Sequence, residues 1–303
     1  MGNILETVAN FLAADIRVAT PLLLAALGLV FSERAGLVNI GTEGIMLSGA
    51  CLGCLGSLIF GSSIAGTLFA VMGGAILGLI FAYFTISLHS NQTVVGLSLN
   101  LIASGLTVTL NRLFLNSAKI TPYPIVEIPL LSKIPYLSDI LFKWQLPVYL
   151  AFILVPVCHF VLYKTNIGLK IRAVGEQPKA CDTVGINVFK VRYGTVIFSG
   201  MMSGLAGSFI SMGLLSSFGE DMVAGRGFMA LAVCVFGNYS PIGVMMAALV
   251  FGAASAASLR IPTNIIPYQF IDMLPYIITI IALCAFSKKS NKPKYSAVPY
   301  RKE

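Results

Sequence analysis

The feature that most constrains this chain is a long stretch without charged side chains. Between Glu43 and Arg112 the sequence contains no Asp, Glu, Lys or Arg. A membrane-spanning helix needs about 20 mostly apolar residues, so this stretch alone can hold two or three of them. Of all 303 residues, 57% are hydrophobic and only 11% are charged, against roughly 25% charged residues in soluble domains. The composition predicts an integral membrane protein and excludes a soluble enzyme, a disulfide scaffold and a disordered chain.

Nine apolar segments predict an all-α, polytopic transmembrane bundle of about 8–10 spans. They lie at about 18–32, 45–60, 64–88, 94–115, 147–163, 193–215, 228–239, 241–259 and 271–287. The segment 228–239 would extend only about 18 Å as a helix, against a hydrocarbon core of about 30 Å. Short segments of this kind predict broken or re-entrant helices, which are tolerated where they face protein or a water-filled cavity.

The distribution of charge predicts the topology. The segments 164–192 and 288–303 each carry six basic residues, against two and one acidic residues respectively. Basic residues in short polar segments mark the cytoplasmic side, so both segments are expected there, and the connection 116–146 is expected outside as an ordered cap. An apolar stripe within residues 1–16 predicts an amphipathic helix at the membrane interface or leading into the first span. The whole chain, 1–303, is expected to form a single transmembrane domain whose basic segments explain the net charge of +8 without nucleic-acid binding.

Residues 33–44 interrupt the apolar pattern early, with the sequence Glu-Arg-Ala-Gly-Leu-Val-Asn-Ile-Gly-Thr-Glu-Gly. Their net charge is −1, whereas a cytoplasmic loop should be basic. Their glycines allow backbone conformations that other residues avoid. We interpret this segment as a broken-helix element that is at least partly buried; a short solvated loop is the alternative.

Glycine spacing predicts close packing between helices. Small residues one helical turn apart let two backbones approach, which is a main route to helix association in lipid. Such pairs occur at Gly49 and Gly53, Gly74 and Gly78, and Gly200 and Gly204. They favour a compact bundle and indicate no function.

No catalytic or metal-binding set of residues stands out in the sequence. There are two histidines, and neither has a Cys, Asp or Glu at ligand spacing. No G-x-x-x-x-G-K-[S/T] motif exists, so the chain cannot hold ATP phosphates in a P-loop. We expect no enzymatic activity, cofactor or metal, and any ATPase that drives transport must be a separate polypeptide.

Neutral polar residues dominate the expected interior of the bundle. Amides both donate and accept hydrogen bonds, which suits the path of an uncharged, hydroxylated solute; the alternative is that they hold helices together. The candidate pathway residues are Asn39, Thr42, Glu43, Asn91, Gln92 and Asn100. If Glu43 only braces the broken helix, a glutamine is expected to replace it largely.

The segment 164–192 is expected to contain a helix of about two turns. Pro178 suits the first turn of a helix and Gly185 the position just past its end, and no helix-breaking residue lies between them. A helix this short is unstable alone in water, so it must dock on its own bundle or on another protein. An ordinary loop that happens to contain Pro and Gly is the alternative.

Four blocks of sequence, taken together and in order, resemble a known family. They begin at Gly36 (Gly-Leu-Val-Asn-Ile-Gly-Thr-Glu-Gly-Ile-Met), Asn91 (Asn-Gln-Thr-Val-Val-Gly-Leu-Ser-Leu-Asn-Leu), Arg172 (Arg-Ala-Val-Gly-Glu-Gln-Pro-Lys-Ala) and Gly225 (Gly-Arg-Gly-Phe-Met-Ala-Leu-Ala). The family is that of the bacterial ABC-importer permeases for branched-chain amino acids, simple sugars and nucleosides. The resemblance covers about residues 15–287, and the first block is most similar to the nucleoside and simple-sugar branch.

The resemblance implies a multi-pass permease subunit of the bacterial cytoplasmic (inner) membrane that imports nucleosides or simple sugars by alternating access. The implied partners are a second permease in a heterodimer, ABC ATPase subunits and a substrate-binding lipoprotein. The short helix would be the coupling helix that the ATPase grips. The coupling residues would be Gly175, Glu176, Pro178, Ala180 and Gly185. A branched-chain amino acid permease and an ATP-independent secondary carrier are the alternative functions.

Overall fold

The computed structural model describes residues 2–115, 120–127, 143–258, 260, 270, 273, 274, 276, 277 and 291–300. Its helices are α1 (Gly2–Arg34), α2 (Thr42–Phe60), α3 (Ser63–Ala82), α4 (Gln92–Leu110), α5 (Leu146–Lys164), α6 (Asn166–Glu176), α7 (Pro178–Thr183), α8 (Val188–Ser208), α9 (Arg226–Phe236) and α10 (Pro241–Ser258). π-Helical turns extend α3, α4 and α8, at Tyr83–Ser87, Asn111–Leu115 and Phe209–Leu215, and two short strands, β1 (Ile125–Glu127) and β2 (Lys143–Gln145), precede α5.

Seven of the described helices are long and apolar enough to cross a membrane, namely α1 to α5, α8 and α10. The chain is therefore a multi-pass membrane protein, and the predicted all-α, polytopic bundle is confirmed. The apolar segment predicted at 228–239 forms α9, whose 11 residues extend only about 16 Å. The last predicted segment, 271–287, lies mostly outside the described residues.

Helix α1 is continuous over 33 residues, which gives a length of about 50 Å, well above a hydrocarbon core of about 30 Å. The amphipathic segment predicted within residues 1–16 therefore continues directly into the first span. Val8 and Leu12 are partly exposed on this segment, with 49% and 40% of their surfaces accessible. Its position at the membrane interface stays a prediction.

The connection between α4 and α5 is ordered where the structure describes it. Strands β1 and β2 pair antiparallel, with Val126 opposite Trp144. Ile120 and Tyr123 precede the first strand and are buried against α2 and the π-helical turn after α8. These residues therefore cover one end of the bundle, and the assignment of that end to the outside of the membrane stays a prediction.

Helix α8 forms the centre of the bundle, with α1, α2 and α3 packed around it. A Cβ atom added to Gly74 would overlap the carbonyl oxygen of Gly200, and one added to Gly200 would overlap that of Gly74. One turn further on, a Cβ on Gly204 would overlap the carbonyl oxygen of Ala70, and a Cβ on Gly49 would lie 2.5 Å from the carbonyl oxygen of Gly204. The close helix packing that the glycine spacing predicted is confirmed, because backbone lies directly on backbone.

We expect Gly200→Ala to lower stability by about 1–3 kcal/mol, since the added methyl group overpacks the contact between α3 and α8. Gly105→Ala is the matched control: Gly105 is exposed on α4 and its Cβ would meet no atom within 4 Å, so replacement is expected to stabilise the helix by about 0.5–1 kcal/mol. The midpoint of thermal unfolding in detergent, followed with a dye that reacts with the buried cysteines, measures both. Equal midpoints for the two variants would contradict the close contact.

Candidate translocation and coupling sites

Helix α1 ends inside the bundle, and the non-helical residues 35–41 connect it to α2. The helix ends in a Schellman motif: the Leu37 N–H donates to the carbonyl oxygen of Ser32 and the Gly36 N–H to that of Glu33, both at 2.9 Å. Gly36 takes the left-handed conformation that this motif requires, with φ +88°. The connecting residues are all buried or half-buried. Protein therefore encloses this segment, as expected for a broken-helix element.

Two amide side chains of α4 satisfy the backbone of this segment. Gln92 Oε1 accepts a hydrogen bond from the Val38 N–H at 2.9 Å. Asn100 Oδ1 accepts from the Gly44 N–H at 2.8 Å, and its Nδ2 donates to the carbonyl oxygen of Ile40 at 3.2 Å. Because lipid offers no hydrogen-bond partners, such contacts allow the backbone to leave helical geometry within the bundle.

The other neutral candidates cap local turns. Asn91 Oδ1 accepts from the Thr93 N–H at 2.9 Å and caps α4. Asn39 Oδ1 accepts from the Gly41 N–H at 3.1 Å, and the Thr42 hydroxyl donates to the Asn39 carbonyl oxygen at 2.6 Å. In this conformation these polar groups bond to their own segments of the chain, and a role for them in a solute path stays a prediction.

Two amide nitrogens among these candidates keep unused hydrogen-bonding capacity. Asn39 Nδ2 and Gln92 Nε2 are buried and have no hydrogen-bond partner among the described residues. An unsatisfied buried donor costs about 1–3 kcal/mol. Each nitrogen would therefore gain from a hydrogen-bond acceptor placed within its reach.

Glu43, in the first turn of α2, binds the start of α9. Its Oε1 accepts from the Gly225 N–H at 2.7 Å and its Oε2 from the Gly227 N–H at 2.6 Å. The start of a helix carries partial positive charge, which favours a carboxylate there. A Cβ on Gly227 would lie 2.5 Å from Cα of Glu43, so only glycine permits this approach. Glu43 thus ties the break after α1 to the break before α9.

The non-helical segment 216–225 before α9 was not identified from the sequence. The turn after α9 lies beside the end of α1, where Arg34 Nε donates to the carbonyl oxygen of Tyr239 at 2.8 Å. The start of α9 lies about 16 Å away along the helix, a distance shorter than the thickness of a hydrocarbon core of about 30 Å. Irregular backbone at that depth is tolerated where it is buried in protein or lines a water-filled cavity. Glu220 and Asp221 are exposed, which favours the water-filled cavity. Their presence between two apolar segments was the sequence signal from which this non-helical segment could have been predicted.

Helix α7 has the predicted ends. Pro178 occupies its first turn. At its end the Gly185 N–H donates to the carbonyl oxygen of Asp182 at 3.0 Å and the Ile186 N–H to that of Cys181 at 2.9 Å, which is again a Schellman motif. Gly185 has φ +81°. The short helix predicted between Pro178 and Gly185 is therefore present.

The two faces of α7 differ in exposure. Pro178 and Cys181 are buried against the bundle, whereas Ala180 and Thr183 are exposed. Val184, which follows the helix, exposes 73% of its surface and was not singled out from the sequence. An exposed apolar residue at the tip of a short helix is available for contact with another protein.

The predicted coupling residues at the end of α6, Gly175 and Glu176, are less exposed than Ala180 and Gly185. Gly175 is buried; a Cβ there would overlap the carbonyl oxygen of Arg34, and its own carbonyl oxygen accepts from the Tyr295 N–H at 3.1 Å. Glu176 is half-buried. Gly175 therefore positions α6 from within, while Ala180 and Gly185 lie on the exposed side.

The C-terminal residues 291–300 lie across the same end of the bundle as α6 and α7. The Ala297 N–H donates to the carbonyl oxygen of Gly36 at 3.0 Å. Tyr300 is buried beside Cys181, and its ring centroid lies 5.9 Å from that of Phe189. The described part of the C-terminal basic segment, 291–300, thus shares one end of the bundle with the segment 164–192, and the assignment of that end to the cytoplasm stays a prediction.

Known proteins resemble this chain over nearly its whole length. Residues 11–283 match the model of a family described as branched-chain amino acid transport system / permease component. The chain is 39% identical to the guanosine ABC transporter permease protein NupQ of Bacillus subtilis and 36% identical to the nucleoside ABC transporter permease protein NupC of Lactococcus lactis, each over 99% of both chains. A solved structure described as an inward-facing, metal-chelate type ABC transporter superposes with a TM-score of 0.52 over 91% of this chain and 85% of that chain. At 13% identity, this last likeness concerns the fold alone.

Both carboxylate oxygens of Glu43 accept an N–H, so a glutamine would turn one acceptor into a donor that faces another donor. This geometry argues against the expectation that glutamine largely replaces Glu43, which stays a prediction. We expect Glu43→Gln to lower stability by about 1–3 kcal/mol and Glu43→Ala by more, since alanine leaves both N–H groups unpaired. Glu6→Gln, at an exposed position of α1, is the control and should change little. The midpoint of thermal unfolding measures all three, and a Glu43→Gln midpoint equal to wild type would refute the two-bond arrangement.

Proposed function

Because the chain belongs to the branched-chain amino acid transport system / permease component family, we propose that it is the permease subunit of an ATP-driven nucleoside importer. The observation that carries the proposal is the full-length similarity to permeases named for guanosine and for nucleosides. Simple sugars are the second candidate class, since they share the hydroxyl groups that amide side chains bind. The membrane is the bacterial cytoplasmic membrane.

The solute path runs along residues 35–44 and 216–227, where two irregular segments meet at Glu43. The buried donors of Asn39 and Gln92 support a solute rich in oxygen acceptors. Glu43, where the two segments meet, disfavours a phosphorylated nucleotide, because like charges repel. An uncharged nucleoside fits these groups better than its phosphate.

ATP hydrolysis takes place on separate ABC ATPase subunits, because the chain has no P-loop motif. The exposed side of α7, formed by Ala180, Thr183 and Val184, is the docking surface for an ATPase. Gly175 and Pro178 support α7 from the bundle side, and Glu176 lies at the junction between α6 and α7. Movement of the ATPase would therefore reach α6 and the end of α1 directly.

A second permease and a substrate-binding lipoprotein complete the importer. Five residues of the segment 216–225 are exposed, namely Ser216, Ser217, Glu220, Asp221 and Ala224, which supports a path shared with a second, different permease. Solute is delivered by the lipoprotein from the side of β1 and β2. Alternating access then requires the complex to open to one side of the membrane at a time.

Uptake by the reconstituted complex distinguishes the candidate solutes. We expect ATP-dependent uptake of a radiolabelled purine nucleoside, weaker or no uptake of a pentose, and none of a branched-chain amino acid. An ATPase subunit with a disabled P-loop is the control and should abolish uptake. Uptake of the amino acid alone would refute the nucleoside assignment, and undiminished uptake with the disabled ATPase would identify a secondary carrier.

Gly185→Val should impair coupling, because a β-branched residue is strained at φ +81°. Cβ atoms at Gly185 and Gly61 would meet nothing within 4 Å, so backbone strain rather than collision causes the effect. We expect substrate-stimulated ATPase activity to fall about tenfold, for a strain of about 1–2 kcal/mol.

Two controls isolate the coupling role of that position. Gly185→Asn should retain most activity, since Asn tolerates the left-handed conformation. Gly61→Val carries the same type of strain, at φ +62°, but lies at the end of α2 away from α7 and should leave coupling intact. Normal stimulated activity in Gly185→Val, or an equal loss in Gly61→Val, would contradict the coupling role of α7.

A further inference from the structure

A pocket of about 440 Å³ opens on the outside of the bundle between α6, the last turn of α1 and the first turns of α8. Its floor is apolar and aromatic. Phe31 and Phe198 meet there edge to face, with ring centroids 4.9 Å apart, and Ile171 and Val191 complete it. The pocket is independent of the path and of the docking surface described above.

Two lysines supply the charge of this pocket. Lys170 of α6 and Lys190 of α8 both line it and both are exposed. No acidic side chain lines the pocket, and neither lysine forms a salt bridge within the part of the chain that the structure describes. Two uncompensated ammonium groups beside an apolar floor are suited to an amphipathic ligand with an anionic end.

The position of the pocket agrees with a membrane boundary. Phe31 lies in the last turn of α1, and α6 begins directly after α5 ends at Lys164. Beside Lys170, α6 exposes Ile167 and Leu169, which have 65% and 58% of their surfaces accessible. A helix with exposed apolar and basic residues side by side is typical of the interface between acyl chains and head groups.

We propose that this pocket binds an anionic phospholipid, with an acyl chain on Phe31 and Phe198 and the phosphate between Lys170 and Lys190. Basic pockets between helices at a membrane boundary bind such head groups, and each lysine near the surface contributes about 1 kcal/mol, or about fivefold in affinity. The bound lipid would bridge α6, which precedes α7 in the chain, and α8, which follows it. The proposal requires only that the chain spans a membrane, and it does not depend on the transported solute.

The test measures the lipid itself, using the full-length permease in detergent and no transport assay. The protein is titrated separately with phosphatidylglycerol and phosphatidylcholine, and bound lipid is counted by native mass spectrometry. We expect preferential binding of phosphatidylglycerol, and Lys170→Gln together with Lys190→Gln should lower its affinity about 25-fold. Lys164→Gln, an exposed lysine at the same end but outside the pocket, should change it little.

A second variant tests the apolar half of the pocket. Gly194 lines it, and a Cβ there would meet nothing within 4 Å, so Gly194→Leu adds bulk at the cavity and should reduce binding of both lipids. Gly105→Leu is its control. Glycerol phosphate, which has the head-group charge but no acyl chain, should not compete. Equal binding of the two lipids, wild-type affinity in the double lysine variant, or full competition by glycerol phosphate would overturn the proposal.

Discussion

The two hydrogen bonds from the start of α9 to Glu43 hold together the places where this chain leaves helical geometry. In a bilayer a broken helix exposes backbone groups that lipid cannot satisfy. Here the carboxylate satisfies the N–H groups of Gly225 and Gly227, and the amides of α4 satisfy the break before α2. The irregular backbone is therefore retained because side chains of α2 and α4 satisfy its N–H groups.

Much of this fold follows from local sequence. The charge-free stretch after Glu43 predicts spans, and Pro178 with Gly185 predicts the ends of α7, because both signals depend only on residues close together in the chain. The partner of Glu43 could not be predicted in the same way, since Gly225 is separated from it by 182 positions. Nothing in a glycine indicates which carboxylate its N–H will meet.

The C-terminal segment shows a different limit of sequence reasoning. Its basic residues predict a common side with 164–192, and the structure places both at one end of the bundle. Its contacts with Gly36 and Gly175 use backbone N–H groups, and every residue except proline offers one. Side-chain identity carries no signal for these backbone contacts, whereas the contact of Tyr300 with Phe189 depends on side chains that lie far apart in the sequence. The neutral candidate residues are ambiguous for another reason. An amide that braces a helix break and one that binds a solute look alike in sequence.

The glycine contacts between α3 and α8 limit how the molecule can move. Where side chains separate two helices, a change of rotamer can absorb sliding or rotation; where Gly74 lies directly on Gly200, no rotamer exists to change. Helices α2, α3 and α8 therefore form one rigid body, and a transport cycle must displace other parts of the chain against it. The same kind of contact joins α9 to α2 at Gly227 and α6 to the end of α1 at Gly175, so sliding is restricted there as well. Between these contacts the chain turns at Gly185 and Asn238 with positive φ, and turns at helix ends are where a change of backbone angle moves one helix against another.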